Sequence, residues 1–413
     1  MQIQPILATL HKHKLTASLL TLQVAFTCAI VCNCAFMIVH RVQQVSLPTG
    51  IAEDQLSVIQ SAGITKDYNP LTQEKADLTV LRAIPGVKAA SAVTSSLPLN
   101  RNFNGYGTCP SLKALTRAIQ TQSMGGGCVQ PSFYDGMPGL VKTLGVDLIA
   151  GRDFKPDEYV KDQKTPHVAI ISQALANKFY PGEQALGKDI YPSTTLNQPV
   201  RVVGIVRTLL APTLRKPEQN YWTVIWPRLP VQNYVSYLLR SAPDNRQRVL
   251  KQARVALLKL NPSRLVPRKG MQTYSQIRAA YFQRDTTMIG LLIAAALGLL
   301  FVTALGITGL ANFWVGQRTR SIGIRRAVGA TRGDILRYFQ TENFLIVGFG
   351  AVLGVLLAIG LNLLLMTHYE LPRLPLWYLP VGAAVLWALG QLAVLAPALR
   401  ASNVPPVVAT RSV

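Results

Sequence analysis

The run "FYPGEQALGKDI", Phe179 to Ile190, holds Gly182, Gly187 and Lys188 at the spacing of a phosphate-binding loop. In such a loop a strand delivers glycines whose amides cradle phosphates, and a hydroxyl residue after the lysine reaches the metal as a helix begins. Position 189 is instead Asp, a negative charge where that hydroxyl belongs. The preceding "SQALANKFY" carries Leu175, Ala176 and Phe179 at helical spacing, and "DIYP" reads as the start of a strand. Helix, loop and strand in that order reverse what the chemistry needs. The glycines therefore read as turn formers, and the chain is not expected to bind ATP itself.

Other catalytic chemistries have little material. His167 is the only histidine between Arg41 and Thr287, too few for a zinc site or a histidine-dependent triad, and GxSxG and HExxH are absent. Asp153, Asp157 and Glu158 could pair for acid–base work, but their polar, turn-rich surroundings read as a solvated loop. Cys28, Cys32 and Cys34 fall in an apolar stretch and read as small packing residues rather than metal ligands. Cys109 and Cys128 lie elsewhere. A bridge between them would close a loop of about 20 residues and contribute about 3 kcal/mol in the chain-entropy model; two free thiols are the alternative.

What must position these residues follows from composition. The 413 residues are 49% hydrophobic and 15% charged, against about 25% charged in ordinary soluble domains. Four stretches lack any Asp, Glu, Lys or Arg: Leu15 to Val39, Met288 to Val315, Phe344 to Met366 and Leu376 to Leu399. Each reaches the roughly 20 residues needed to cross a ~30 Å hydrocarbon core. A mid-helix charge there costs about 2.5–3.5 kcal/mol, which explains the gaps. Buried core helices and cleaved signal cores are shorter, so the first stretch reads as an uncleaved anchor.

Charge then predicts orientation. Lys12 and Lys14 precede the first span without an acid. The link Gly316 to Asn343 carries Arg318, Arg320, Arg325, Arg326, Arg332 and Arg337 against Asp334 and Glu342, and the tail adds Arg400 and Arg411. The link between the third and fourth spans has only Glu370 and Arg373. The positive-inside rule places both termini and the arginine-rich link in the cytoplasm and residues 41–287 outside. The net charge of +23 is explained by topology and anionic headgroups, and no aromatic-basic motif points to nucleic acid.

The expected fold is an α-helical membrane protein with four transmembrane helices and a large α+β periplasmic domain of two subdomains. Its divisions are 1–40 for the N-terminus and first span, 41–287 for the periplasmic domain with a membrane-proximal stalk, and 288–413 for the remaining spans. "LTVLRAIPGVKAASAV" predicts a helix through Leu78 and Leu81, a Pro85-Gly86 turn and a strand. "VSYLLRSAPDNRQRVLKQARVALLKLNPSRLV" predicts a strand, an Asp244 cap, a helix through Val249, Ala253, Leu257 and Leu260, and a second strand. These pieces would pair into one subdomain, and Gly105 to Pro212, with "PHVAIIS" and "VRVVGIV", would form the other. Met271, Tyr274, Ile277 and Tyr281 form a stripe that suits a helix continuing beyond the membrane against a partner.

In the arginine-rich link, Ile324, Ala327 and Val328 share one helical arc with Gly323 at its edge, and Arg325 and Arg326 lie opposite. The pattern predicts a short amphipathic helix ended by Gly329, with Thr331 and Asp334 capping the next. Composition alone leaves lipid contact and protein docking open.

"RTRSIGIRRAVGATRGDILRYFQTEN" resembles the signature of MacB/FtsX-type ABC transporter permeases. "VQPSFYDGMPGLVKTLGVDLIAGRDF", "VAIISQALANKFYPGEQALGKDI" and "VRVVGIV" are similar to that family's periplasmic core domain, and "APALRASNVPPVVATR" to its tail. The sequence departs from the pattern at Ser321, where relatives commonly have Glu.

The resemblance implies a non-catalytic permease without a fused ATPase domain, in the bacterial inner membrane. It would assemble with a second copy or a related permease and with cytoplasmic ABC ATPase subunits that bind ATP and Mg, and a periplasmic adaptor is compatible. Arg318, Arg320, Ile322, Gly323, Ile324, Arg325, Arg326, Ala327, Val328, Gly329 and Arg332 would contact the ATPase. The stalk would carry its motion to the periplasmic side, for export or efflux. Gly350 and Gly354 would let helices pack closely. An ATPase-independent sensor or scaffold for a periplasmic ligand is the alternative, and an enzyme in the external domain would need activity in a soluble fragment from Gln43 to Arg268, where none is expected.

Overall fold

The computed structural model describes residues 14–64, 69–94, 96–124, 126–161, 164–193, 198–229, 232–369 and 373–405. Lys12, Glu370 and Arg411, which entered the charge balance, lie outside them. Contacts divide the chain into Leu47–Gln283 and a second unit made of Met1–Ser46 with Arg284–Val413.

In chain order the elements are α1 (Lys14–Val45), β1 (Leu56–Gly63), α2 (Pro70–Arg82), β2 (Val87–Val93), β3 (Thr108–Cys109), α3 (Leu112–Thr121), β4 (Ser132–Asp135), α4 (Leu140–Leu144) and β5 (Leu148–Gly151). Then come β6 (Val160–Lys161), β7 (Val168–Ser172), α5 (Gln173–Phe179), β8 (Asp189–Pro192), β9 (Val200–Val206), β10 (Thr223–Trp226), β11 (Arg228–Leu229) and β12 (Tyr234–Ser241). The chain continues through α6 (Arg246–Leu260), β13 (Arg264–Leu265), β14 (Met271–Thr273), α7 (Tyr274–Ala327), α8 (Arg332–Tyr369) and α9 (Tyr378–Ser402).

The Leu47–Gln283 unit is α+β with two main sheets. In the first, of order β13-β1-β12-β2, β14 also pairs with β1, and the strands named are antiparallel. The pieces around Leu78 and Val249 join here, as their pattern predicts. Alternation sends Ile59, Val235, Tyr237 and Leu239 to one face, where α2 supplies Leu78 and Leu81 and α6 supplies Val249, Ala253 and Leu257. Asp244 does not cap α6. It lies in a short 3-10 turn, Pro243–Asn245, and Asn245 precedes the helix without a side-chain cap bond; Pro243 starts the turn one residue too early for Asp244 to adopt the extended cap conformation.

The second sheet has order β3-β8-β9-β7-β10-β4, with β5 also on β9. It extends past Pro212 to include β10, which pairs in parallel with β4 and antiparallel to β7. That strand lies about 90 residues from β4 in sequence, a pairing that local pattern does not reveal. Phe133, Trp226, Val202 and Leu175 fill its core, with the Phe133 and Trp226 rings 4.3 Å apart. Gly182 and Gly187 have φ of 78° and 80°, the left-handed turn conformation that glycine adopts at little cost. Asp157 and Glu158 lie in a 3-10 turn, and Glu158 accepts two hydrogen bonds from Arg152, at 2.8 and 2.5 Å. That guanidinium holds the Glu158 carboxyl below its usual range.

Under the first sheet, Asp77 is fully buried and accepts from Arg264 at 2.6 Å, Tyr237 at 2.5 Å and Gln73 at 2.9 Å. Glu74, one turn earlier, is also fully buried, and neither carboxylate oxygen has a hydrogen-bond partner. Desolvation, with the Asp77 charge adding to it, pushes its pKa up to about 8. In the unfolded chain Glu74 titrates at about 4.3. Between those values the folded state holds a proton that the unfolded state has released, so stability from this group is full below the unfolded pKa and is lost as pH rises to about 8. Thermal denaturation of the protein is expected to show this domain melting at lower temperature at pH 8 than at pH 5. Glu74→Gln, which cannot ionise, should flatten that slope; an unchanged slope would assign it to other groups.

The helical unit contains four helices long and apolar enough to cross a membrane: Lys14–Val45, Tyr274–Ala327, Arg332–Leu364 and Tyr378–Ser402. Glycines set the closest approaches. A Cβ at Gly354 would lie 2.4 Å from the Cβ of Cys28, one at Gly350 would lie 2.9 Å from the Thr21 carbonyl oxygen, and one at Gly382 would lie 2.2 Å from Cys32 Sγ. Cys28 and Cys32 are thus small residues at tight crossings, and Cys34 is also buried. Among the described residues no cluster of potential metal ligands occurs. Thr27 and Thr303 share a hydrogen bond of 2.8 Å, and the Asn33 amide donates to the Ala358 carbonyl at 3.1 Å. These bonds satisfy polar groups that hydrocarbon would leave bare.

Candidate functional site

Two regions, at the ends of α7, gather the site residues named from the sequence. The first is its C-terminal end. Instead of a separate short amphipathic helix, residues to Ala327 continue α7 without a break. Gly316 and Gly323 each disfavour helix by about 1 kcal/mol, too little to end one in the absence of proline. The end comes at Gly329, φ 106°, where its amide donates to the Arg326 carbonyl and that of Ala330 donates to the Arg325 carbonyl. This pair of bonds is a Schellman cap. The next helix starts at once: the Thr331 hydroxyl accepts from the Asp334 amide at 3.2 Å, and the Asp334 carboxylate accepts from the Thr331 amide at 3.0 Å. The Thr331 hydroxyl also lies 2.6 Å from the Asp334 carboxylate, and that bond, with the Thr331 amide adding to it, lowers the Asp334 pKa.

Side chains at this turn split into two sets. Ile322 and Gly323 are buried, Ile322 against Ile335, Phe339 and Ala401. Arg318 donates to both oxygens of the buried Glu342, at 3.1 and 2.8 Å, and its guanidinium lies 5.6 Å from the Trp314 ring centre. Arg326 donates to the Val404 carbonyl at 2.6 Å. These groups fasten α7 to α8 and to the segment after α9. By contrast, Ile324 is 50% and Val328 84% exposed, and Arg320, Ala327, Gly329 and Arg332 are exposed with them. Arg325 lies over the Tyr338 ring at 5.0 Å. The outer surface of the turn is therefore an apolar arc bordered by arginines. Such a surface chemically suits an acidic, partly apolar groove.

The second region is the first three turns of α7, which belong to the α+β unit. Met271 is not part of this helix. It sits in β14, opposite Ile59 of β1, because its alternation with Thr273 satisfies an open sheet edge. The rest of the stripe packs on its own domain. Tyr274 is buried and donates to the Pro98 carbonyl at 2.8 Å, Ile277 packs on the core between the two sheets, and the Tyr281 hydroxyl accepts from the Leu214 amide at 2.9 Å. Arg278 donates to Glu53 at 2.5 Å and to the Leu47 carbonyl at 2.8 Å. Arg101 donates to the Tyr281 carbonyl at 3.0 Å. Burial, with the Glu53 charge adding to it, raises the Tyr274 pKa well above its ordinary value. α7 thus starts locked into the α+β domain and ends at the exposed turn.

Arg278, Glu53, Arg101, Tyr338 and Glu342 carry much of this and were not singled out by spacing. Only Glu342 left a trace, as a lone acid at the threshold of a charge-free stretch. Elsewhere, Cys109 and Cys128 are joined by a disulfide that bounds α3.

A family profile described as "MacB-like periplasmic core domain" matches residues 24–249, more than half of the chain, and one described as "FtsX-like permease C-terminal" matches 293–406. The chain belongs to the MacB/FtsX-type permease family. The turn between α7 and α8 lies in the FtsX-like region, and the MacB-like region covers the second sheet and the strands β1, β2 and β12 of the first. The permease is 27% identical over 295 residues to the macrolide export ATP-binding/permease protein MacB of Shewanella sp., covering 68% of this chain and 40% of that one. It is 23% identical over 341 residues to the ABC transporter permease YknZ of Bacillus subtilis, covering 81% of this chain and 78% of that one. It thus spans less than half of the MacB relative and most of YknZ. The solved periplasmic region of MacB from Actinobacillus actinomycetemcomitans superposes with a TM-score of 0.34 at 14% identity, covering 58% of this chain and 97% of that one.

Proposed function

We propose that this permease converts the closing of a separate ATPase dimer into movement of its MacB-like domain, for export or efflux from the bacterial inner membrane. Both termini and the α7–α8 turn face the cytoplasm, and the α+β domain faces the periplasm. ATP and Mg²⁺ are held by the ATPase partner, so this chain is the non-catalytic member. A second permease copy or a relative completes the assembly, with an adaptor on the periplasmic side. The macrolide export named for MacB relatives makes amphipathic cargo a reasonable first class to assay.

The observation that carries this reading is the 54-residue helix α7. A helix rises about 1.5 Å per residue, so a push at Ile324 travels along one element to the bonds at Tyr274, Arg278 and Tyr281. Arg325 and the exposed Ile324–Val328 arc would be the grip, while Arg318 and Arg326 keep the turn rigid through their internal bonds.

The test is an Ile324→Asp, Arg325→Glu double variant. A Walker-motif ATPase that co-purifies with the wild-type permease from native membranes is expected to be lost, a fall in recovery of at least tenfold. Circular dichroism and melting of the permease should stay unchanged, because both side chains lie on the outer surface. Full ATPase recovery by the variant would reject this docking surface.

A further inference from the structure

We propose that a cleft in the α+β domain, between the start of α7 and the face of the first sheet that carries Val58 and Leu238, binds a short peptide ending in a free carboxylate. The cleft is about 330 Å³, within the roughly 300–1,000 Å³ of small-ligand sites and room for about two or three small residues.

Its floor comes from the sheet. Gln60 lies opposite Ser236, and Gln272 lies opposite Val58, so the strands β1, β12 and β14 present two carboxamides and a hydroxyl on one face. None of these three side chains bonds to another described residue, although the face beside them is packed into the core through Val58 and Leu238. Carboxamides offer a donor and an acceptor each, the complement of a peptide group. The wall is apolar, with Leu97 on one side and Ile277 and Ala280 of α7 on the other.

Charge sets the third requirement. Arg101 is the one charged residue among those lining the cleft, with no carboxylate opposing it. Its guanidinium spends one donor on the Tyr281 carbonyl and lies 5.3 Å from the Tyr281 ring centre; with five N–H donors in all, it retains others for an anion. It also occupies a ring face on which a sugar would otherwise stack.

The backbone that presents Arg101 is held against its preference. Leu99 and Arg101 have φ of 60° and 63°, a region costly for side chains other than glycine. The Leu99 amide donates to the Ala211 carbonyl and the Arg101 amide to the Pro212 carbonyl at 3.0 Å, which fixes them there. A strained loop so pinned keeps a cation at the cleft mouth, next to amides and beside an apolar wall. A free anion would have no use for that wall, and an acyl chain no use for the carboxamides.

The test uses the full chain in detergent micelles and isothermal titration calorimetry with alanyl-leucyl-alanine. Binding is expected, and it should weaken at least tenfold when the peptide carboxylate is amidated, when Arg101 is replaced by Gln, and when Gln60 is replaced by Leu. Gln60→Leu leaves the strained loop intact and so separates loss of contact from loss of the loop. Absence of heat with the peptide, equal affinity for the amidated peptide and in both variants, or binding of octanoate in place of the peptide would overturn the assignment.

Discussion

Under the proposed transmission through α7, a Met288→Pro substitution is expected to disconnect the MacB-like domain from the ATPase partner while leaving their association intact. Met288 is exposed and opens the charge-free part of α7, between the locked first turns and the exposed last turn. Proline there removes the amide bond to the Arg284 carbonyl and clashes with it, costing about 3 kcal/mol or more and kinking the helix. Neither the Ile324–Val328 arc nor the Arg278–Glu53 pair is touched, so docking and domain folding should persist. Hydrogen exchange of the Tyr274–Gln283 amides would be compared between nucleotide-free and vanadate-trapped complexes. The wild-type permease and Met288→Leu should show a nucleotide-dependent difference, and the proline variant none. A wild-type response from the proline variant would remove α7 from the proposed transmission.

Asp77→Ala is expected to cost about 3–5 kcal/mol, the range for removing one partner of a buried ion pair. The substitution leaves the Arg264 guanidinium, itself buried, without its carboxylate, and also takes the acceptor from Tyr237 and Gln73. Urea unfolding at pH 7 should show the loss. An Asp77→Ala, Arg264→Leu double variant should recover part of it, because removing both partners leaves no bare charge. It should also lower the Glu74 pKa, by deleting the neighbouring carboxylate. A loss under about 1 kcal/mol would mean that the pair is hydrated rather than sealed.

These predictions divide along what was legible. The four spans, the helix–turn–strand around Leu78, the helix through Val249, and the ends of two helices at Gly329 and Thr331 are local facts. Each depends on residues within a turn or two: runs of apolar side chains, 3.6-residue spacing, a left-handed glycine, a hydroxyl cap. The P-loop resemblance at Gly182 could be rejected for the same reason, since its strand and helix stand in the wrong order. The same local reading failed at Met271, where helical spacing was accidental and an open sheet edge claimed the residue. It also failed at the link after Val315, because nothing in the chain was strong enough to end a helix already running.

Sequence alone determined that this chain crosses a membrane, how its charges are distributed, and which family it resembles, because hydropathy and short motifs are properties of neighbouring residues. Only the tertiary structure decided that Asp77 meets Arg264 across 187 positions, that Arg318 is spent on Glu342, and that Tyr274 and Tyr281 grip their own domain. Those pairings form when distant segments close around a shared core, and the choice among many possible partners is made by burial, which no stretch of sequence carries within itself.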